Sequence, residues 1–394
     1  MLELGNENVK SLQPSATVSM SIKANQMKKN GIDIINLAGG DPDFDTPEPI
    51  KRKAIEAIQQ GHTHYAMGVE LLPLKEGIVK KLKTENHIDV STDQIILTPG
   101  GKYALFLTIQ ALLNPGDEVL IVAPTWVSYE PMVIANNATP VFLELEEKDN
   151  YTLTKEKLLS HTTDKTKLVI ICSPNNPTGH DLSKQEIEDV VDYIKESHVH
   201  ILIDEMYEHL VYEKEHISLA SYQEISDYVI SVFGFSKSYA MTGWRLGYVI
   251  AQPQYIHYMN KVYQHSITTV NTFVQEAATV ALTCHQDVQN MKKAYQIRRD
   301  RFIKAMNEIP GVHALQPEGA FYAWVRFEKE GLHTSIDICN FLLDEAKIAG
   351  APGIAFGCTD EKHVRFSIAS SDEDLQEAVK RIKVAMKKNI NKND

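Results

Sequence analysis

Tyr228-Val-Ile-Ser-Val-Phe-Gly-Phe235 runs directly into Ser236-Lys237-Ser-Tyr-Ala-Met-Thr-Gly243-Trp-Arg245-Leu-Gly247, and then into Tyr248-Val-Ile250. An apolar run that ends in a polar, glycine-containing turn reads as a strand that delivers a loop to the end of a sheet. That loop holds one lysine, fenced by serines, an arginine and glycines. A lysine on a turn beside a ready-made anion site is the arrangement needed to hold an aldehyde cofactor as an imine while gripping its phosphate.

Outward from this segment the pattern repeats. Short apolar runs at Gln94–Thr98, Glu118–Ala123, Lys167–Ser173, His200–Asp204, Tyr228–Phe233 and Gly247–Ile250 alternate with amphipathic stretches. Alternation of this kind makes an α/β fold with a largely parallel, covered sheet, and such sheets place ligands at their strand ends. Thr46-Pro47 reads as the N-cap and first-turn proline of a helix that Gly61 closes. The last helix begins after Ser371-Asp-Glu-Asp374 and runs through Leu375, Val379, Ile382 and Met386. Gly319–Phe327 and His363–Ala369 read as strands of a second, smaller unit. No Ser/Gly-rich linker or repeat separates the units, so two domains sharing one cleft are expected.

The 394 residues, 43% of them hydrophobic, can bury a large core, and about 150 residues per domain gives two or three domains. A formal net charge of -12 offers no long-range attraction to nucleic acid or anionic lipid, and basic clusters such as Lys80-Lys81-Leu82-Lys83 are short. The first residues have no basic n-region followed by an apolar one, and no run approaches a spanning helix, so a cytoplasmic protein is expected. Cys172, Cys284, Cys339 and Cys358 are isolated and read as reduced, buried thiols. The histidines lack metal-ligand spacing, and no metal is assigned. No Gly-x-Gly-x-x-Gly follows a strand, which removes the main support for a dinucleotide site. Arg298, Arg299 and Arg301 read as a solvated face of a long charged helix.

Further candidate groups lie at strand ends. Asp204 closes one apolar run and opens Asp204-Glu-Met-Tyr207; it either caps the next helix or stands at the mouth of the sheet with a phenol one turn away. A cationic ring nitrogen within reach would keep such a carboxylate ionised. Ser173-Pro-Asn-Asn176-Pro-Thr-Gly179 is either a plain turn or a rigid mount that points the Asn176 amide into the cleft. Gly100-Gly101-Lys102 can present backbone amides at a helix N-terminus, although two glycines are more often only a turn. Trp126 could stack on a planar ring or fill core. Arg365 alternates in phase with Ser367 and Ala369, so it faces either solvent or the cleft, where its planar fork would suit a carboxylate.

In this chain order the elements resemble the fold-type I pyridoxal-phosphate enzymes, specifically class I aminotransferases, over nearly the whole length. Similarity is greatest to the bacterial aspartate aminotransferases of the I-gamma subgroup. The matching pieces are Pro14-Ser-Ala-Thr-Val18, Gly40-Asp-Pro-Asp-Phe-Asp-Thr-Pro47, His64-Tyr65-Ala, Gly100-Gly-Lys-Tyr-Ala-Leu-Phe106, Trp126-Val-Ser-Tyr129, Ser173 to Gly179, Asp204-Glu-Met-Tyr-Glu-His-Leu210, Met241-Thr-Gly-Trp-Arg-Leu-Gly247 and Val364-Arg-Phe-Ser367.

The resemblance implies a large domain over residues 48–295 with a mostly parallel seven-stranded sheet, and a smaller α/β domain made of 14–47 and 296–394. By it, Lys237 carries pyridoxal phosphate and, once the amino acid displaces it, acts as general base for the α-proton; its pKa must fall for that role. Asp204 would hold the pyridine nitrogen protonated, and Tyr207 and Asn176 would hydrogen-bond the phenolic oxygen. Ser236, Arg245 and the amides of Gly101 and Lys102 would cradle the phosphate, with Tyr65 reaching the phosphate of the other subunit of a homodimer. Trp126 would cover the ring. Gly40, Asn176 and Arg365 would bind the α-carboxylate, and Lys102, Ser15 and Thr17 the distal carboxylate of aspartate. That set implies ping-pong transfer between L-aspartate and 2-oxoglutarate. Relatives that also aminate prephenate carry a lysine before Pro14, where this chain has Gln13. Residues 349–363 depart from the family's Val-Val-Pro-Gly pattern. The alternatives are another donor (aromatic, kynurenine or prephenate-type), a β-lyase outcome, and a non-catalytic regulator on the same fold.

Overall fold

Seven strands form the central sheet: β1 (Ile95–Thr98), β2 (Glu118–Ala123), β3 (Thr139–Glu144), β4 (Thr166–Cys172), β5 (His200–Asp204), β6 (Val229–Gly234) and β7 (Gly247–Ile250), in spatial order β1-β7-β6-β5-β4-β2-β3. The computed structural model describes residues 4–66, 72–357 and 362–388. Every pairing in this sheet is parallel except the two made by β7. Both faces are covered, which is why the inner strands are continuously apolar rather than alternating. The helices Gly101–Leu112 and Pro253–Ser266 pack on one face through Leu105, Ile109, Ile256 and Met259. Lys184–Ser197 packs on the other through Ile187, Val190 and Ile194. Because Cys172 stands opposite Asp204, and Asp204 opposite Val232, the loops that follow β4, β5 and β6 emerge at one edge.

The second unit is a four-stranded antiparallel sheet of Ala351–Pro352, His363–Ser367, Tyr322–Phe327 and Val312–Ala314. It shares one core with the helices His285–Asn307 and Asp372–Met386, through residues such as Phe302, Met306, Phe366, Ala378 and Ile382. The N-terminal segment joins this unit: Ile35–Asn36 pairs in parallel with Ile348–Ala349, and the Ser367 amide donates to the Leu37 carbonyl at 2.7 Å. The expected boundary between 295 and 296 falls inside the 23-residue helix His285–Asn307. Val288 of that helix packs with the large unit, while Met291 through Met306 pack with the small one.

Four local expectations are corrected. β3 was not among the expected strands; it is an edge strand with Pro140 at its second position and is only half-buried, so it lacks the apolar signal of its neighbours. The helix Glu48–Gln59 is capped by Pro47 without a side-chain bond, not by Thr46, whose hydroxyl instead donates to the Ala240 carbonyl at 2.6 Å. Arg299 is fully buried rather than solvated: it is paired with Glu213, donates to the Pro317 carbonyl at 2.9 Å and lies over the Tyr212 ring at 4.5 Å. Arg298 is likewise held, by Asp43 at 2.9 Å and against Phe44, which leaves only Arg301 of the three mostly exposed. Cys172, Cys284 and Cys339 are buried free thiols; Cys358 lies outside the described residues. Among the described residues no helix is long and apolar enough to cross a membrane, and no cluster of His, Cys, Asp and Glu could hold a metal ion.

Candidate active site

The strand-end loops and the second unit enclose a cavity of about 390 Å³. Its floor is built by the loops after the parallel strands. Gly100, in the left-handed region at φ 86°, turns the chain from β1 into the helix Gly101–Leu112, whose first amides have no partner within the helix. A side chain at Gly100 would also strike the Arg245 guanidinium, so glycine is required twice over. Arg245 donates to the carbonyls of Thr242 at 2.8 Å and Pro99 at 3.1 Å, which fixes it beside that helix start together with Ser236. An exposed guanidinium facing a helix N-terminus is an anion site.

Lys237 projects from the loop after β6 and donates to the Gly40 carbonyl at 2.5 Å. Burial in the cavity, reinforced by Arg365 and Arg245 against the opposing pull of Asp41 and Asp204, lowers its pKa to about 8. Asp204, at the end of β5, is not a helix cap. It faces the cavity, accepting from the Tyr129 hydroxyl at 2.7 Å and the Met206 amide at 3.1 Å. Burial raises its pKa to about 6 against those two hydrogen bonds, with Glu205 adding to the rise and Lys237 reducing it. Tyr207 is buried with its hydroxyl 2.8 Å from that of Tyr322, and burial pushes its pKa up. Lys102 lies over the Trp126 ring at 4.8 Å and is lowered by burial and then by Arg245.

The opposite wall comes from the second unit. Arg365 points into the cleft, not to solvent: it is buried, donates to Asn176 Oδ1 at 2.9 Å and the Ala38 carbonyl at 2.7 Å, and lies between the rings of Tyr322 and Phe356. Its Nε has no hydrogen-bond partner. A buried guanidinium held by neutral oxygens, with a donor to spare, is poised for a carboxylate.

Thr17, Gly40, Gly101, Lys102, Trp126 and Asn176 line this one cavity, as do Asp204, Tyr207, Ser236, Lys237, Arg245 and Arg365. Two expected residues do not. Ser15 stands behind Thr17, their hydroxyls 3.0 Å apart, and Tyr65 is 75% exposed away from the cavity. Residue-level reading gave no role to Tyr129 or Tyr322, although the spacing Trp126 to Tyr129 is one helical turn and Tyr322 precedes Trp324, the strand partner of Arg365. Val18, Ser21, Ile22 and Asn25 were also missed; they sit on the helix Ala16–Lys29, whose weak amphipathic pattern marks no inner face. The divergent 349–363 segment touches the site through Phe356, whose ring is 5.0 Å from the Arg365 guanidinium; residues 358–361 of it lie outside the described residues.

Residues 32–382 match the family model for aminotransferase class I and II. The chain belongs to that family. This aminotransferase is 39% identical to an aspartate aminotransferase of Bacillus sp. (strain YM-2), over 97% of its own length and 99% of the relative's. It is 37% identical to a probable aspartate/prephenate aminotransferase of Aquifex aeolicus, over 96% and 97% of the two chains. Its structure superposes on the aspartate aminotransferase of Thermus thermophilus with maleate with a TM-score of 0.92 at 35% identity, covering 98% of this aminotransferase and all of the other chain. The fold is therefore the fold-type I α/β architecture.

Proposed function

We propose that this aminotransferase moves the amino group of L-aspartate to 2-oxoglutarate in a ping-pong cycle with pyridoxal phosphate, acting as a cytoplasmic homodimer. The observation that carries the reading is the pairing of Lys237, lowered to about 8, with Asp204, buried and raised to about 6, in one cavity that also presents an anion site and the Arg365 fork. Those groups fit the cofactor part by part. Ser236, Arg245 and the amides of Gly101 and Lys102 would hold the phosphate, Trp126 would cover the ring, and Tyr207 and Asn176 would meet the phenolic oxygen. Asp204 would face the ring nitrogen, and a cation there relieves the cost of burying its charge. When bound, pyridoxal phosphate supplies an aldehyde to receive the amino group and a cationic ring to draw off the electrons freed at the α-carbon.

The protein's own groups do the rest. Arg365, with Gly40 and Asn176, would grip the α-carboxylate and so orient the α-hydrogen. Lys237 Nζ, with its pKa lowered to about 8 so that a substantial fraction is the neutral amine near that pH, would take that proton and return it. Lys102 and Thr17, with Ser15 behind it, would receive the distal carboxylate, which favours a dicarboxylic donor. Tyr65, exposed on its own subunit, would complete the phosphate site of the partner.

The visible absorbance of the protein with pyridoxal phosphate, before and after L-aspartate alone, tests the reading. Loss of the bound-cofactor band with stoichiometric oxaloacetate is expected. An intact band would overturn the donor, and no band would overturn the cofactor. Val18, Ile22 and Leu105, apolar residues lining the same cavity, favour aromatic donors as a second activity. The relative named for prephenate points the same way, whereas Gln13 weighs against prephenate itself. Phenylalanine in the same assay should discharge the band more slowly than aspartate.

A further inference from the structure

Behind the strand ends lies a buried polar cluster outside the cavity. His216 faces carboxylate oxygens with both ring nitrogens: Nδ1 is 2.8 Å from Asp181 Oδ1 and Nε2 is 2.9 Å from Glu205 Oε2. An ionised carboxylate oxygen only accepts, so both nitrogens carry hydrogen and the ring is a cation. Asp181 and Glu205 are themselves fully buried. Burial opposes the imidazolium, and the two carboxylates overcome it, bringing His216 to about 10.

Each carboxylate leads to one flank of Asp204. Glu205 is the next residue in the chain, and its other oxygen accepts from Ser218 Oγ at 2.9 Å. Asp181 Oδ1 also accepts from Ser173 Oγ at 2.9 Å, and the Ser173 amide donates to the Asp204 carbonyl at 3.1 Å. Ser173 in turn begins the loop that carries Asn176. Lys214 Nζ, 3.5 Å from Asp181 Oδ2, gives Asp181 a second cation, whereas the cation beside Glu205 is His216.

We propose that His216 is a positioning residue for the cofactor: its charge neutralises Glu205, so that Asp204 one residue away stays ionised for a cationic ring, and its two bonds tie together the strand ends that present Asp204 and Asn176. This rests on the pyridoxal phosphate reading of the cavity. Without the imidazolium, a buried carboxylate stands uncompensated beside another, and like charge favours a proton on Asp204. The titratable groups around Asp204 are Tyr129, Cys172, Lys237 and Glu205; those around His216 are Asp181 and Glu205, with Lys214 beyond.

The test titrates the cofactor-stripped full chain with pyridoxamine phosphate, which cannot condense with Lys237, and follows protein fluorescence from acid to neutral pH. Contributions from the ligand's phosphate are common to all variants and cancel on comparison. His216→Gln should move the acid limb of affinity up by about one pH unit, a loss that grows as pH falls and reaches about tenfold below the original limb. Glu205→Gln should move the limb down, and the double variant should return toward the unsubstituted chain. A His216→Gln protein that melts earlier with its limb unmoved would show a purely structural residue and overturn the proposal. So would an unmoved limb in Glu205→Gln, which keeps the test alive should His216→Gln fail to fold. Failure of the unsubstituted chain to bind pyridoxamine phosphate would instead overturn the cofactor reading, and this inference with it.

Discussion

Lys237 and Asp204 are displaced from their ordinary pKa values by the same cause, burial, acting on opposite charges. For the lysine, desolvation disfavours the ammonium, so the neutral amine is present from about pH 8 and not from the usual 10.5. The rate at which the cofactor-free protein takes up pyridoxal phosphate, followed by visible absorbance, should therefore rise with pH through a midpoint near pH 8 and level off above it. A midpoint near that of a free lysine would contradict the burial seen here. Lys237→Ala should abolish transamination while leaving the circular dichroism of the fold unchanged, and retained turnover would sink the mechanism. Arg365→Ala removes a buried fork, and losses of about 2–5 kcal/mol are usual for such groups. KM for aspartate should then rise by at least about thirtyfold, with a smaller change in kcat.

At the scale of elements, the site depends on turns as much as on strands. Gly100 sits at φ 86° with the Arg245 guanidinium against its missing side chain. Gly100→Ala, at φ 86° and ψ 162°, should cost about 1–3 kcal/mol in backbone strain and displace Arg245. A lower melting temperature should therefore accompany weaker binding of pyridoxal phosphate, while binding of phosphate-free pyridoxal falls less. The strand-and-turn rhythm that exposes this geometry was legible in the chain because inner strands of a covered parallel sheet are uniformly apolar. β3 was not, since an edge strand with Pro140 and one hydrogen-bonded neighbour needs no such run. Charge pattern misled in a similar way at Arg299. Its helix reads as solvated, yet Glu213 and the Pro317 carbonyl, supplied from distant segments, make burial tolerable there. Tyr129 was illegible for the same reason: its partner Asp204 lies 75 residues away in the chain.

Across the whole molecule, the cavity exists only where two packed units meet, and a few long-range polar contacts hold them there. Arg299, on the helix that runs through both cores, pairs with Glu213 from the segment after β5. Arg299→Ala should cost about 1–3 kcal/mol, read as a fall in the urea midpoint, because it leaves the buried Pro317 carbonyl without its donor, while Glu213, 55% exposed, is left to water. The proposed homodimer raises the same question at Tyr65. This residue is 75% exposed and outside its own cavity, so a role in catalysis requires a second copy of the chain. A hydrogen bond to a charged group contributes about 1.5–3 kcal/mol, so Tyr65→Phe should weaken pyridoxal phosphate binding roughly ten- to a hundredfold. Hybrid dimers decide which subunit the phenol serves. Pairing a Lys237→Ala protomer with a Tyr65→Phe protomer leaves one site with both lesions and one with neither, provided Tyr65 acts across the interface. Half of the sites should then bind cofactor with unsubstituted affinity and turn over aspartate. Hybrids that show only the weakened affinity would place the phenol's action within its own subunit, which the exposed position of Tyr65 argues against.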